Sequence, residues 1–88
     1  MAVLIERAVM ERRRAIAYVY RDMDDEGFQF ISDGEKTEGD AMMVSLEEVY
    51  ELDPTISQLA DLPPGWRALR QRPGGDWAME PSDPDLLL

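Results

Sequence analysis

The stretch Ala15–Glu35, AIAYVYRDMDDEGFQFISDGE, constrains the fold more than any other part of the chain. Two aromatic-rich segments of alternating character flank a short acidic connector, the pattern of a β-hairpin. Its strands are expected at about Ala15–Arg21 and Gly27–Ser32, joined through Asp22–Glu26. Strict alternation puts Ile16, Tyr18 and Tyr20 on one face of the first strand and Phe28 and Phe30 on one face of the second. Aromatic cross-strand pairs then set the register. The opposite faces carry Ala17, Val19, Gln29 and Ile31, so both sides are partly apolar and the hairpin belongs in the middle of a sheet.

A chain of 88 residues has room for one core layer. The expected organisation is a single domain over residues 1–80 and an extended tail, residues 81–88, whose two prolines and lack of periodicity argue against regular structure. Nine basic against nineteen acidic residues give a net charge of -10. Phosphate backbones repel such a surface at long range, which disfavours nucleic acid as a partner. No apolar run approaches the ~20 residues of a membrane span, so no membrane is expected. The opening Met1–Glu6 lacks the basic and long apolar regions of a secretory signal. With no cysteine in the chain, the expected compartment is the cytoplasm.

The remaining elements follow in order. Ala2–Met10 suits a strand better than a helix. Glu11–Arg14 reads as a turn or exposed strand edge, or as a basic patch open to an acidic partner. Ser32–Ala41 is a polar, glycine-containing loop. Ser45-Leu46-Glu47-Glu48 is a capping box, with Val44 and Val49 placed for a hydrophobic staple. It opens the main helix, about Ser45–Leu52, whose Leu46, Val49 and Tyr50 form a stripe facing the sheet. Asp53-Pro54 pairs an N-cap with proline at the first helical position and opens a short helix over about Pro54–Ala60. After the stiff turn Asp61–Gly65, Trp66–Arg72 and Asp76–Met79 flank Pro73–Gly75 as a second hairpin. Trp66 and Trp77 read as core or core-rim residues, and Arg67, Arg70 and Arg72 as solvated strand positions. The fold class is therefore α+β: an antiparallel sheet of four to five strands, with one main helix and one short helix on one face.

Chemistry is scarce. Without histidine or cysteine the common zinc, Cys-His and Ser-His-Asp sites cannot form. No glycine-rich phosphate loop is present, and paired carboxylates such as Asp24/Asp25 lack the walls of a sugar cleft in so small a chain. Asp22, Asp24, Glu26, Gly27 and Asp33 fall at positions 1, 3, 5, 6 and 12 of a calcium-loop template. Such a loop needs a helix on each side and a bidentate glutamate at its end, whereas here the flanks are strands and the last ligand is Asp33. The expectation is a protein that is not an enzyme and has no cofactor and no metal.

The order Tyr18-x-Tyr20-Arg21-Asp22, Gly27-Phe28-Gln29-Phe30-x-Ser32-x-Gly34-Glu35, a capped helix over Val44–Leu52, Asp53-Pro54-x-Ile56 and Pro64-Gly65-Trp66-x-x-Leu69 resembles a family of small bacterial proteins. That family, first a domain of unknown function, is grouped with predicted immunity proteins of polymorphic toxin systems. The resemblance covers about residues 15–80. This chain departs from the pattern in having Phe28 where tryptophan is common and Asp33 inserted before Gly34. What the resemblance implies is an α+β fold and a partner protein, such as a basic toxin neutralised by occlusion. The residues expected to meet it are acidic: Asp22, Asp24, Asp25, Glu26, Asp33, Glu35, Glu38 and Asp40. Two alternatives stay open: a small-molecule or metal-binding regulator using the acidic connector, and a homo-oligomeric structural module exposing an apolar sheet face.

Overall fold

A computed structural model describes residues 2–24, 27–32 and 41–82. They form strands β1 (Ala2–Glu6), β2 (Ile16–Arg21), β3 (Phe28–Ser32), β4 (Ala41–Ser45), β5 (Trp66–Leu69) and β6 (Ala78–Pro81). Between them lie α1 (Arg7–Met10), α2 (Leu46–Leu52) and a 3-10 helix, Pro54–Leu59. The strands make one mixed sheet in the order β4-β1-β3-β2-β5-β6, with the β2–β3 hairpin at its centre, as the two-sided apolar pattern requires.

The α+β class stands, and two details of the expected sheet are corrected. It has six strands among the described residues, and it is not wholly antiparallel, because β1 runs parallel to β3, with Ile5 opposite Phe30. The parallel pair arises because α1 turns the chain after β1 and β2 then runs back, leaving β3 to return in the direction of β1. The added strand is β4, which pairs antiparallel with β1 and alternates Met42 and Val44 toward the same side as Ile5 and Val3. Residues 7–10, expected as strand, form one helical turn that buries Val9.

Alternation in β2 is broken once. The pairing of β2 with β3 shifts between Ile16 and Tyr18, so that Val19, not Tyr18, shares the core side with Ile16. A bulge of this kind inserts one residue and flips every side chain beyond it. Tyr18 and Tyr20 therefore stand opposite Ile31 and Gln29, while Val19 stands opposite Phe30. The expected Tyr–Phe cross-strand pairs do not form. The tyrosines stack on each other at 6.4 Å and the phenylalanines on each other at 6.2 Å, on opposite faces.

The core unites Val3, Ile5, Val19, Phe30 and Ala68 of the sheet with Val9, Val49, Ile56 and Leu59 of the helical segments. All helical segments thus cover one face. Leu62, in the turn after the 3-10 helix, is also fully buried. Trp66 and Trp77 pack at the core rim. On the other face Leu4 is 37% and Met43 63% exposed. Among the described residues no helix is long and apolar enough to cross a membrane.

The caps follow the sequence with one change. Ser45 Oγ accepts from the Glu48 N–H at 3.2 Å, but the Glu48 carboxylate accepts a hydrogen bond from the Ser45 hydroxyl at 3.4 Å. Ser45 is also the last residue of β4, paired with Ala2. Val44 and Val49 both enter the core. In the second hairpin, Gly74 takes φ 75° and Gly75 N–H donates to Arg72 O, closing the expected turn. Strand β6 extends to Pro81, one residue into the segment expected as tail.

Candidate functional site

Of the eight acidic residues expected to meet a partner, Asp22 and Asp24 lie in the described part of the chain. Asp22 follows the last residue of β2; its N–H donates to Gly27 O, and its Oδ1 accepts from the Asp24 N–H at 2.7 Å. That local bond shapes the connector as an Asx turn and occupies one carboxylate oxygen with backbone. Asp25, Glu26, Asp33, Glu35, Glu38 and Asp40 lie outside the described residues, and with Glu26 and Asp33 so do two of the five positions of the calcium-like arrangement. Among the described residues no cluster of three potential metal ligands occurs.

At the same end of the sheet as Asp22 lies a groove of about 760 Å³ between β3 and the helical layer. Its walls are Phe28, Leu46, Tyr50, Leu59 and Ala60, and Glu47 and Glu51 line it from α2. The two glutamates are four residues apart on one helix, hence neighbours on its surface. The stripe expected to bury against the sheet is divided. Val49 is fully buried, whereas Tyr50 is 49% exposed and looks onto the groove. Arg21 fixes the strand-side wall. It donates to Leu62 O at 2.7 Å, and its guanidinium sits 5.0 Å from the centre of the Phe28 ring, an arrangement favoured by the ring quadrupole. The sequence signal for this groove was the i, i+4 pair Leu46 and Tyr50, which periodicity alone assigns to the core.

A second polar feature contradicts the sequence reading outright. Arg70, expected to be solvated, is buried at 7% exposure. Its Nε donates to Ile16 O at 2.8 Å, its Nη1 to Thr55 Oγ1 at 3.1 Å and its Nη2 to Asp53 Oδ2 at 2.6 Å. The indole of Trp77 lies 4.3 Å beneath it and donates from Nε1 to the same Thr55 hydroxyl at 3.2 Å. Asp53 accepts in turn from the Thr55 N–H and hydroxyl. Burial would raise the Asp53 carboxyl, but hydrogen bonds from Thr55 and Arg70 and the arginine charge outweigh it and hold it below the ordinary aspartate value. The network pins the 3-10 helix to β2 and to the second hairpin; every group in it is satisfied by another, which makes it a structural unit.

The turn Glu11–Arg14 forms as expected. Arg13 pairs with Glu11 at 2.7 Å, both exposed, a contact of little energetic weight. The start of β2 is thus basic and its end acidic, with six residues of strand between them.

Comparison with protein-family models, curated proteins and solved structures finds no match to the chain.

Proposed function

We propose that the protein is a non-enzymatic protein-binding module that receives a basic, amphipathic segment of a partner in the groove between β3 and α2. This is the mode expected of an immunity protein that neutralises a toxin by covering it. The observation that carries the reading is the pairing of an apolar groove, walled by Phe28, Leu46 and Tyr50, with the exposed carboxylates of Glu47 and Glu51 along its side. A helix that lays an apolar stripe into such a groove brings its flanking lysines or arginines to those carboxylates. The net charge of -10 steers a basic partner toward the surface and raises its on-rate, an effect that salt weakens.

Affinity capture at low salt, run with the native chain and with Tyr50→Glu, tests this. The expected result is a basic polypeptide held by the native chain, released by high salt and lost with Tyr50→Glu. Recovery of no basic polypeptide, or equal recovery with the variant, overturns it.

One observation favours a second reading, association of two copies through the open sheet face, where Leu4 and Met43 are exposed. Sedimentation distinguishes it: a monomer across the micromolar range removes this reading and leaves the first in place.

A further inference from the structure

The turn between α1 and β2 and the segment just after β5 meet on one side of the molecule. Arg12, Arg13 and Arg14 line a cleft of about 410 Å³ that also reaches Arg70, Val9 and Leu52. A smaller cleft of about 240 Å³ adjoins it, shares Arg14 and Arg70, and adds Arg72. Five of the chain's nine basic residues therefore line these two neighbouring clefts. Among the described residues lining them Asp53 alone is acidic, and that carboxylate is engaged by Arg70 at 2.6 Å. Arg13 pairs with Glu11 and Arg70 with Asp53, whereas among the described residues neither Arg12 nor Arg72 has an ion-pair partner.

The backbone adds an independent sign. Arg12 takes φ 62°, the left-handed region, and among the described residues it is the only non-glycine to do so. Its N–H donates to Val9 O and the Arg13 N–H to Ala8 O, the double bond of a Schellman closure at the end of α1, whose left-handed position ordinarily holds glycine. Glycine closes such a turn at lower cost, so an arginine here is held in a strained backbone position at the mouth of the cleft. Arg70 also lines both clefts, but its guanidinium is committed to Ile16 O, Thr55 and Asp53 and serves the fold.

The geometry points to an oxyanion site: this cleft binds a multiply charged organic oxyanion of nucleotide size. The guanidiniums of Arg12, in the larger cleft, and Arg72, in the smaller, meet the anionic groups, since the guanidinium fork matches phosphate and carboxylate oxygens. The apolar wall of Val9, Ile16 and Leu52 takes the uncharged body. A volume of about 410 Å³ exceeds the need of a bare phosphate and falls within the range of small-molecule sites. The acidic connector does not oppose this, because it sits at the other end of β2, about 17 Å away for six residues of strand. That is roughly twice the ~8 Å screening length at physiological salt.

Amide NMR titration of the full chain at low salt, with ADP, pyrophosphate, adenosine and oligoglutamate as separate probes, tests the inference. ADP is expected to shift Arg12–Ile16 and Arg70–Gly74 saturably, pyrophosphate the same residues more weakly, and adenosine none of them. Arg12→Gly, which suits the left-handed turn, and Arg72→Gln are each expected to weaken ADP binding about tenfold, the equivalent of one charge-assisted hydrogen bond, with melting curves showing that both variants fold. Pyrophosphate binding as tight as ADP overturns the organic body of the ligand. Saturable binding of oligoglutamate alone reassigns the cleft to an acidic peptide and overturns the inference. No saturable shift with ADP or pyrophosphate at millimolar concentration, or shifts unchanged in both variants, overturns it as well.

Discussion

Arg70 Nη2 donates to Asp53 Oδ2 at 2.6 Å, joining the end of β5 to the first turn of the 3-10 helix. Both residues are separately fixed: Arg70 N–H donates to Ala17 O in the adjacent strand, and Asp53 caps Thr55. The contact therefore joins two elements whose backbones are already held in place.

Removing one partner strands the other. Arg70→Met is expected to destabilise the fold by about 3 kcal/mol, because it takes the Arg70 donors from Asp53 Oδ2 and Ile16 O and removes the cation from Trp77. Urea unfolding of the variant beside the native chain measures the difference. A loss under about 1 kcal/mol, within the range of a surface pair, contradicts the assignment.

The same pair sets a pH dependence. Asp53 is held below its ordinary value in the folded state, so its contribution is complete above the unfolded carboxyl value, about 3.9. It is lost as pH falls through the lower folded value. Asp53→Asn is expected to be less stable than the native chain at neutral pH, with the gap narrowing below about pH 4. Unfolding midpoints across that range check it, and a gap independent of pH contradicts it.

Gly65 takes φ 80° in the turn before β5, and a Cβ there would meet the Met23 methyl at 2.5 Å. Met23 is 70% exposed and can move aside, so the cost lies in the backbone. Gly65→Ala is expected to destabilise by about 1–2 kcal/mol. Gly65→Ala combined with Met23→Ala should recover only a minor part, and full recovery would place the cost in the contact.

Arg12 poses the reverse case. Relief of its left-handed strain is worth about 1 kcal/mol, partly offset by the added freedom of glycine in the unfolded chain. Arg12→Gly is expected to match or exceed the native thermal midpoint, and a clear loss of stability would show that the arginine side chain supports the fold.

The central hairpin, α2 with its Ser45 cap and the Asp53-Pro54 start of the 3-10 helix were legible because each rests on local chemistry: alternation, a hydroxyl three residues before an N–H, a proline at the first helical position. What escaped the sequence depends on distant partners. Parallel pairing of Ile5 with Phe30 leaves no local mark, and the bulge near Ala17 shows only as a change of side for Val19. Arg70 looks like any strand arginine until Asp53, Thr55 and Trp77 are brought around it. The groove was hidden for a related reason: Tyr50 fits the apolar stripe of α2, but only Val49 is buried, and Tyr50 looks onto the groove beside Phe28.

The groove is tested most directly by an amide NMR titration of the native chain with a lysine-leucine amphipathic helical peptide. The account predicts saturable shifts centred on Phe28, Leu46, Tyr50 and Leu59, weakened by salt and by Glu47→Gln with Glu51→Gln. Shifts centred instead on Leu4, Tyr18 and Met43 of the open sheet face, or no saturable shift at all, would contradict it.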